Sequence, residues 1–235
     1  MKRLISITLI FILIISADAN FINNSKENNS SLFKKKEINE GVITYDIEYL
    51  SDTTEKAIIS LLPTEMTIKF NNNQSIQTVE GWMGIFKICG IVNEQEKTKS
   101  ALLKIMADKY FYTTKINDEK LFGFNPMNGK RIQYTNKTKK IAGYKCKKAI
   151  ITWGIESFDV YYTDKIKIAG INWNNSYPEI DGVLLQYQVD VFGIKTVFTA
   201  KNIEEAKIDS LEFLIPEDFK ESSYEELDSI INKLM

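Results

Sequence analysis

Two cysteines, Cys89 and Cys146, carry the most reactive side chains of this 235-residue chain, and no histidine stands anywhere to serve them. That absence excludes a Ser-His-Asp triad, a Cys-His pair, zinc sites with imidazole ligands and a histidine pH switch. Lys145, Lys147 and Lys148 flank Cys146 and could lower its pKa, but no imidazole is available as its base. Two structural uses remain open for the pair. A disulfide would close a loop of about 57 residues, worth ~4 kcal/mol in the chain-entropy account; the alternative is two separate buried thiols. Asp159, Asp164, Glu204 and Glu205 are the other groups to weigh. Paired carboxylates serve glycoside hydrolysis only at a set separation across a cleft, and no acidic run here has calcium-loop spacing. There is no phosphate-binding glycine loop and no nucleophile elbow. The expectation is a protein with no catalytic residues, no metal ligands and no cofactor.

Two further groups could bind rather than react. Lys137, Lys139 and Lys140 lie just upstream of Lys145, Lys147 and Lys148. They read either as a patch for an anionic partner or as a solvated strand face whose lysines discourage edge pairing. Met83, Phe86, Ile88, Met106, Phe111, Phe122, Phe124 and Met127 form a soft apolar set. Such residues fill ordinary cores and also line adaptable hydrophobic pockets. From this set Met83, Phe86, Met106 and Phe111 are the expected ligand-binding residues.

Composition narrows the partners. Lys and Arg number 30 against 31 Asp and Glu, for a formal net charge of −1. A chain this close to neutral lacks the positive field that nucleic-acid binding relies on. Residues 1–19 have the form of a cleavable export signal: Lys2 and Arg3, an apolar run too short for a comfortable membrane span, then Ala17-Asp18-Ala19. No cysteine stands near the cleavage point, so a lipid anchor is not expected. Residues 20–39 are rich in Asn, Ser and Lys and read as a flexible spacer. A single domain is expected over 40–235, in the periplasm and free of any stable membrane span once the signal is removed.

The elements follow from period and punctuation. In 155–163, Phe158, Val160 and Tyr162 share one face and alternate with polar neighbours, the mark of a half-buried antiparallel strand. With 146–153 before it and Gly154 between, it predicts a hairpin, which we place at the centre of the fold. Ile43, Tyr45, Ile47 and Tyr49 predict another strand, and Met66, Ile68 and Phe70 the next. A short helix is expected over 57–62, ended by Pro63. Further strands are expected over 74–80, 84–92, 98–105, 108–115, 183–191 and 194–203. Residues 117–130 and 167–182 read as long irregular connections. Ser222 and Ser223 are capping candidates for a terminal helix whose stripe is Leu227, Ile230, Ile231 and Leu234. The fold class expected is mainly β (α+β), a curved antiparallel sheet of roughly ten strands with a short helix and a C-terminal helix.

Four blocks carry a resemblance. They are IAGYKCKKA (141–149) with FDVYYTDKI (158–166), LLPTEMTIKF (61–70), the run 84–112, and FLIPEDFKESSYEEL (213–227). Together they resemble a domain-of-unknown-function family of Gram-negative envelope proteins, over about residues 40–228. That family is similar in pattern to the Lol lipoprotein-carrier fold, a half-barrel sheet wrapped over one or more helices. The resemblance implies a periplasmic or outer-membrane-associated protein that holds a lipid or a lipidated partner in its concave face. The alternative it leaves is an envelope interaction module without a ligand. It supplies no catalytic residues.

Overall fold

The computed structural model describes residues 37–50, 62–120 and 122–233. The expected signal, residues 20–36 of the spacer and all but the last residue of the helix expected over 57–62 lie outside them. Twelve strands are described. They are β1 (Gly41–Tyr49), β2 (Glu65–Phe70), β3 (Gln74–Gly81), β4 (Phe86–Asn93), β5 (Thr98–Ile105) and β6 (Asp108–Lys115). After them come β7 (Arg131–Ile141), β8 (Tyr144–Trp153), β9 (Glu156–Thr163), β10 (Val183–Val191), β11 (Ile194–Glu205) and β12 (Lys220–Glu221). One α-helix, α1 (Tyr224–Asn232), follows.

All twelve strands form one open, curved sheet in the order β12-β6-β5-β4-β3-β2-β1-β11-β10-β9-β8-β7. Strands β1 to β6 are one meander and β7 to β11 a second. The two are joined where β1 pairs antiparallel with β11. Every other pairing is antiparallel too, except β12, which runs parallel to β6. Tight turns explain the meanders. At Ala142-Gly143 and at Phe192-Gly193 both residues hold positive φ, the conformation that two-residue hairpin turns need to match strand twist.

The hairpin that we place at the centre is in fact near one edge, and the middle of the sheet is the β1–β11 seam. Two strands exceed the expected ten. Strand β12 is only two residues long. Strand β7 escapes a period-two reading because it is the outermost strand and only Ile141 in it is buried. Its lysines are a solvated edge: Lys139 donates to Gln186 Oε1 at 3.0 Å, and across β8 Lys147 and Lys148 pair with Asp164 and Asp159 at 2.8 and 2.5 Å. Ile38, expected in the spacer, is buried and bridges to Ile166.

Alternation along β5 separates the two faces. Leu103 packs with Phe86, Ile88, Leu227 and Ile231 on the inner face, whereas Leu102 packs with Cys89, Ile91, Phe111 and Phe219 on the outer face. The chain after β11 crosses that outer face, tied by Lys207–Glu40 and Lys69–Glu212, both 2.6 Å. It adds β12 beside β6, and α1 then lies on the inner face. Helix α1 starts where expected, with Ser223 Oγ accepting from the backbone N–H of Glu226 at 3.1 Å. The main core lies at the seam. Tyr187 stacks on Phe198 at 5.2 Å between ring centroids and meets Tyr45 and Tyr177 edge-on at 6.2 and 6.3 Å.

Burial separates the side chains that hold the sheet from those that do not. Leu103 is fully buried, while Met106 is 72% exposed. Leu103→Ala is expected to cost about 2–5 kcal/mol and Met106→Ala to stay within about 0.5 kcal/mol of neutral, both measured as shifts in the urea midpoint.

Candidate functional site

The four expected ligand-binding residues are not brought together. Met83 sits in the β3–β4 turn and is completely exposed, and Met106 projects from the β5–β6 turn. Both hold positive φ at these turns. Phe86 and Phe111 belong to opposite faces of the sheet. Only Phe86 reaches a cavity, an apolar hole of about 120 Å³ lined also by Tyr49, Met66, Val79, Phe122 and Phe198. That is slightly smaller than the roughly 150 Å³ engineered hole that admits benzene.

The cysteines lie apart in two packing clusters, Cys89 under the C-terminal crossing and Cys146 in the main core. Both are free. Burial pushes the Cys89 thiol up, and pushes Cys146 up to about 11. Neither is a thiolate near neutral pH, and Lys147 and Lys148 are engaged with carboxylates rather than with sulfur.

The polar site is built by the two irregular connections. Residues 116–130 must travel from β6, beside one edge, to β7 at the other, and they do so across the β10–β11 turn. Phe124 bridges Val191, the N–H of Phe192 donates to Gly123 O at 3.0 Å, and the N–H of Asn125 donates to Asp190 O at 3.1 Å. The second connection, 164–182, is fixed by its own asparagines. Asn172 Nδ2 donates to the carbonyls of Ile180 and Gly182 at 2.7 and 2.9 Å. Asn175 donates to Asn172 Oδ1 at 3.1 Å and accepts from the N–H of Tyr177 at 2.8 Å. Tyr177 reaches down to donate to Gln188 O. Ser176 Oγ links the two connections, donating to Asn125 O at 3.1 Å. The approach to the sheet depends on Gly90: a Cβ there would stand 2.1 Å from Asn174 Nδ2.

Between these connections lies a polar cleft of about 530 Å³, lined among others by Lys99, Asp118, Asn128, Lys130, Trp173 and Glu179. This is the size of an ordinary small-molecule site, a few hundred to about 1,000 Å³. The Asp118 carboxylate accepts from the N–H of Lys120 and from Thr114 Oγ1, both at 2.8 Å, and these bonds hold its pKa below the usual range. Lys130 pairs with Glu179 at 2.8 Å. Lys97 stands 5.3 Å from the centre of the Trp173 ring. Lys99 is only 4% exposed and gives a hydrogen bond to Asp118 O at 2.5 Å. Burial pulls its pKa down, while the Asp118 charge acts in the other direction. The arrangement combines a flat apolar ring with amides, carboxylates and ammonium groups. Such a set holds a polar, ring-shaped ligand by stacking and hydrogen bonding.

Neither Lys99 nor Trp173 was among the expected site residues. Lys99 lies in a strand and gives no signal of its own. The signal that could have found the cleft is the length of the two connections, since unstructured segments this long inside a compact domain are usually functional.

The class that this architecture defines is a mainly β domain with a polar cleft under its inner-face connections. A family model, described as the N-glycanase peptide, N-terminal domain, matches residues 91–214, more than half of the chain and the whole stretch from Lys99 to Glu179. The chain belongs to that family. Two solved structures of PNGF-II, in space groups P21 and C2, are similar to it with TM-scores of 0.51 and 0.51 and identities of 14% and 15%. Each match covers 83% of this chain but only 34% and 33% of the PNGF-II chain, so this protein spans about a third of their length. No curated protein matches it. These findings replace the envelope-family resemblance and the lipoprotein-carrier reading that came with it. The described residues of the four sequence blocks fall largely in β8 and β9, in β2, in β4 to β6, and in β12 with the start of α1.

The connection 164–182 gives the cleft its wall, and Asn172 is its main tie. Asn172→Ala leaves the carbonyls of Ile180 and Gly182 without that donor, and is expected to cost about 1–3 kcal/mol. Hydrogen exchange should rise first in 170–182 and leave β1 and β2 protected.

Proposed function

We propose that this chain is a glycan-recognition domain and that its cleft takes up a saccharide or the sugar part of a glycopeptide. The family's description names an N-glycanase peptide N-terminal domain, and the cleft is the observation that carries the reading here. Its size, its tryptophan and its amide-rich wall suit a sugar ring, which has one apolar face and a rim of hydroxyls. The chain itself works in this reading as a binding domain and not as the hydrolase. Two of the cleft's carboxylates already have partners: Asp118 is held by Thr114 and the Lys120 N–H, and Glu179 by Lys130. Neither is set up as the acid and base of a hydrolytic pair.

Export belongs to the same proposal. A domain that meets glycoproteins works outside the cytoplasm, and residues 1–19 have the form that delivers it there.

Two experiments test these statements. In calorimetric titration of the purified chain with a free N-glycan and with a glycopeptide, Trp173→Ala should weaken binding at least tenfold, roughly 1.4 kcal/mol. No binding, or binding indifferent to Trp173→Ala, overturns the glycan reading. Intact mass of the chain expressed in an exporting host should place the mature start at Asn20, and retention of Met1 overturns export.

A further inference from the structure

Lys99 is the charged group in the cleft that the reading above does not use. It sits on β5, is 4% exposed, and lines the floor between the two connections. An ammonium has three donors, and one of them goes to the carbonyl of Asp118. Among the described residues, no carboxylate lies within ion-pairing distance of its nitrogen. The nearby acids are engaged elsewhere: Asp118 with Thr114 and the Lys120 N–H, Glu179 with Lys130. Glu119, which also lines the cleft, is exposed at its mouth.

A buried ammonium with no carboxylate in ion-pairing range is costly to keep, since the Asp118 charge acts on it only from farther off, and a ligand anion in direct contact lowers that cost. A sugar hydroxyl would satisfy one donor. A carboxylate satisfies both remaining donors through charge-assisted bonds, which are about twice as strong as neutral ones. We infer that Lys99 is an anion subsite in the cleft and that the preferred ligands are acidic glycans bearing a carboxylate on a terminal sugar. The inference rests on the glycan reading and gives it a substrate class. Trp173 supplies the stacking that any pyranose ring can use, and Lys99 supplies the choice among them. The two roles separate in variants, because Trp173→Ala weakens binding of every glycan while a change at Lys99 removes a preference.

The test is titration of the full chain with one N-glycan in three forms: sialylated, desialylated, and sialylated with its carboxylate converted to the amide. The sialylated form is expected to bind about tenfold more tightly than either of the others, ~1.4 kcal/mol. In Lys99→Met, which keeps the apolar stem of the side chain, the three affinities should converge on the value of the neutral forms. The amide comparison uses the unaltered chain, so it decides the matter even if Lys99→Met fails to fold. Equal binding of all three forms overturns the anion subsite and leaves the glycan reading standing. An acidic preference that survives in folded Lys99→Met also overturns it. An acidic peptide without sugar that competes as well as the sialylated glycan does so too. Binding of none of the forms overturns both statements together.

Discussion

Among the described residues, a wide sheet with one α-helix must cover its inner face with chain that is mostly not regular structure. Irregular backbone brings N–H and C=O groups that have no ladder to join, and burial without partners costs free energy for each. In this protein the requirement is met by side chains of the cover itself. Asn172 answers two carbonyls, Asn175 answers Asn172 and the N–H of Tyr177, and Tyr177 is anchored to Gln188 on β10. The aromatic group of Tyr45, Tyr177, Tyr187 and Phe198 then packs beneath this network at the seam. Gly90 completes the fit by leaving room for Asn174.

The cleft follows from the same constraint. Two segments that satisfy their own backbone with amides and hydroxyls cannot pack against each other as an oily core does. They leave a polar gap that Asn175 and Ser176 of this network line, together with Lys99 of β5. The apolar cavity on the same face is lined by Phe86, Phe122 and Phe198. The inner face therefore carries a cleft of mixed polarity and a smaller apolar cavity.

Much of the sheet was legible in the sequence because burial of one face imposes a period of two. Ile43, Tyr45 and Ile47 in β1, and Val183 to Val189 in β10, show it directly. Strand β7 was not legible, since an edge strand with both faces wet carries no such pattern. Strand order was not legible either, because nothing local in β1 or β11 says that these distant segments pair. The expected site residues lie apart for a related reason. Methionine at 83 and 106 is apolar by type, but each stands in a turn whose conformation points it into solvent, and composition does not report φ. Trp173 and Lys99 are 74 residues apart and become neighbours only through the folding of the two connections, so the cleft had no sequence signature beyond their length.

The position of the seam bears on how the chain reaches its native state. Strand β1 is made early and finds β2 at once, but its other side waits for β11, which is about 150 residues later. Until then the central strand of the final sheet is an outer one, with free N–H and C=O groups and the apolar residues Ile43, Tyr45 and Ile47 on display. Closing so long a loop late makes folding slow and leaves an adhesive edge open while synthesis continues. The protein's main hazard is thus self-association of half-made chains through β1, an edge that the finished fold hides completely and that no property of its surface would betray.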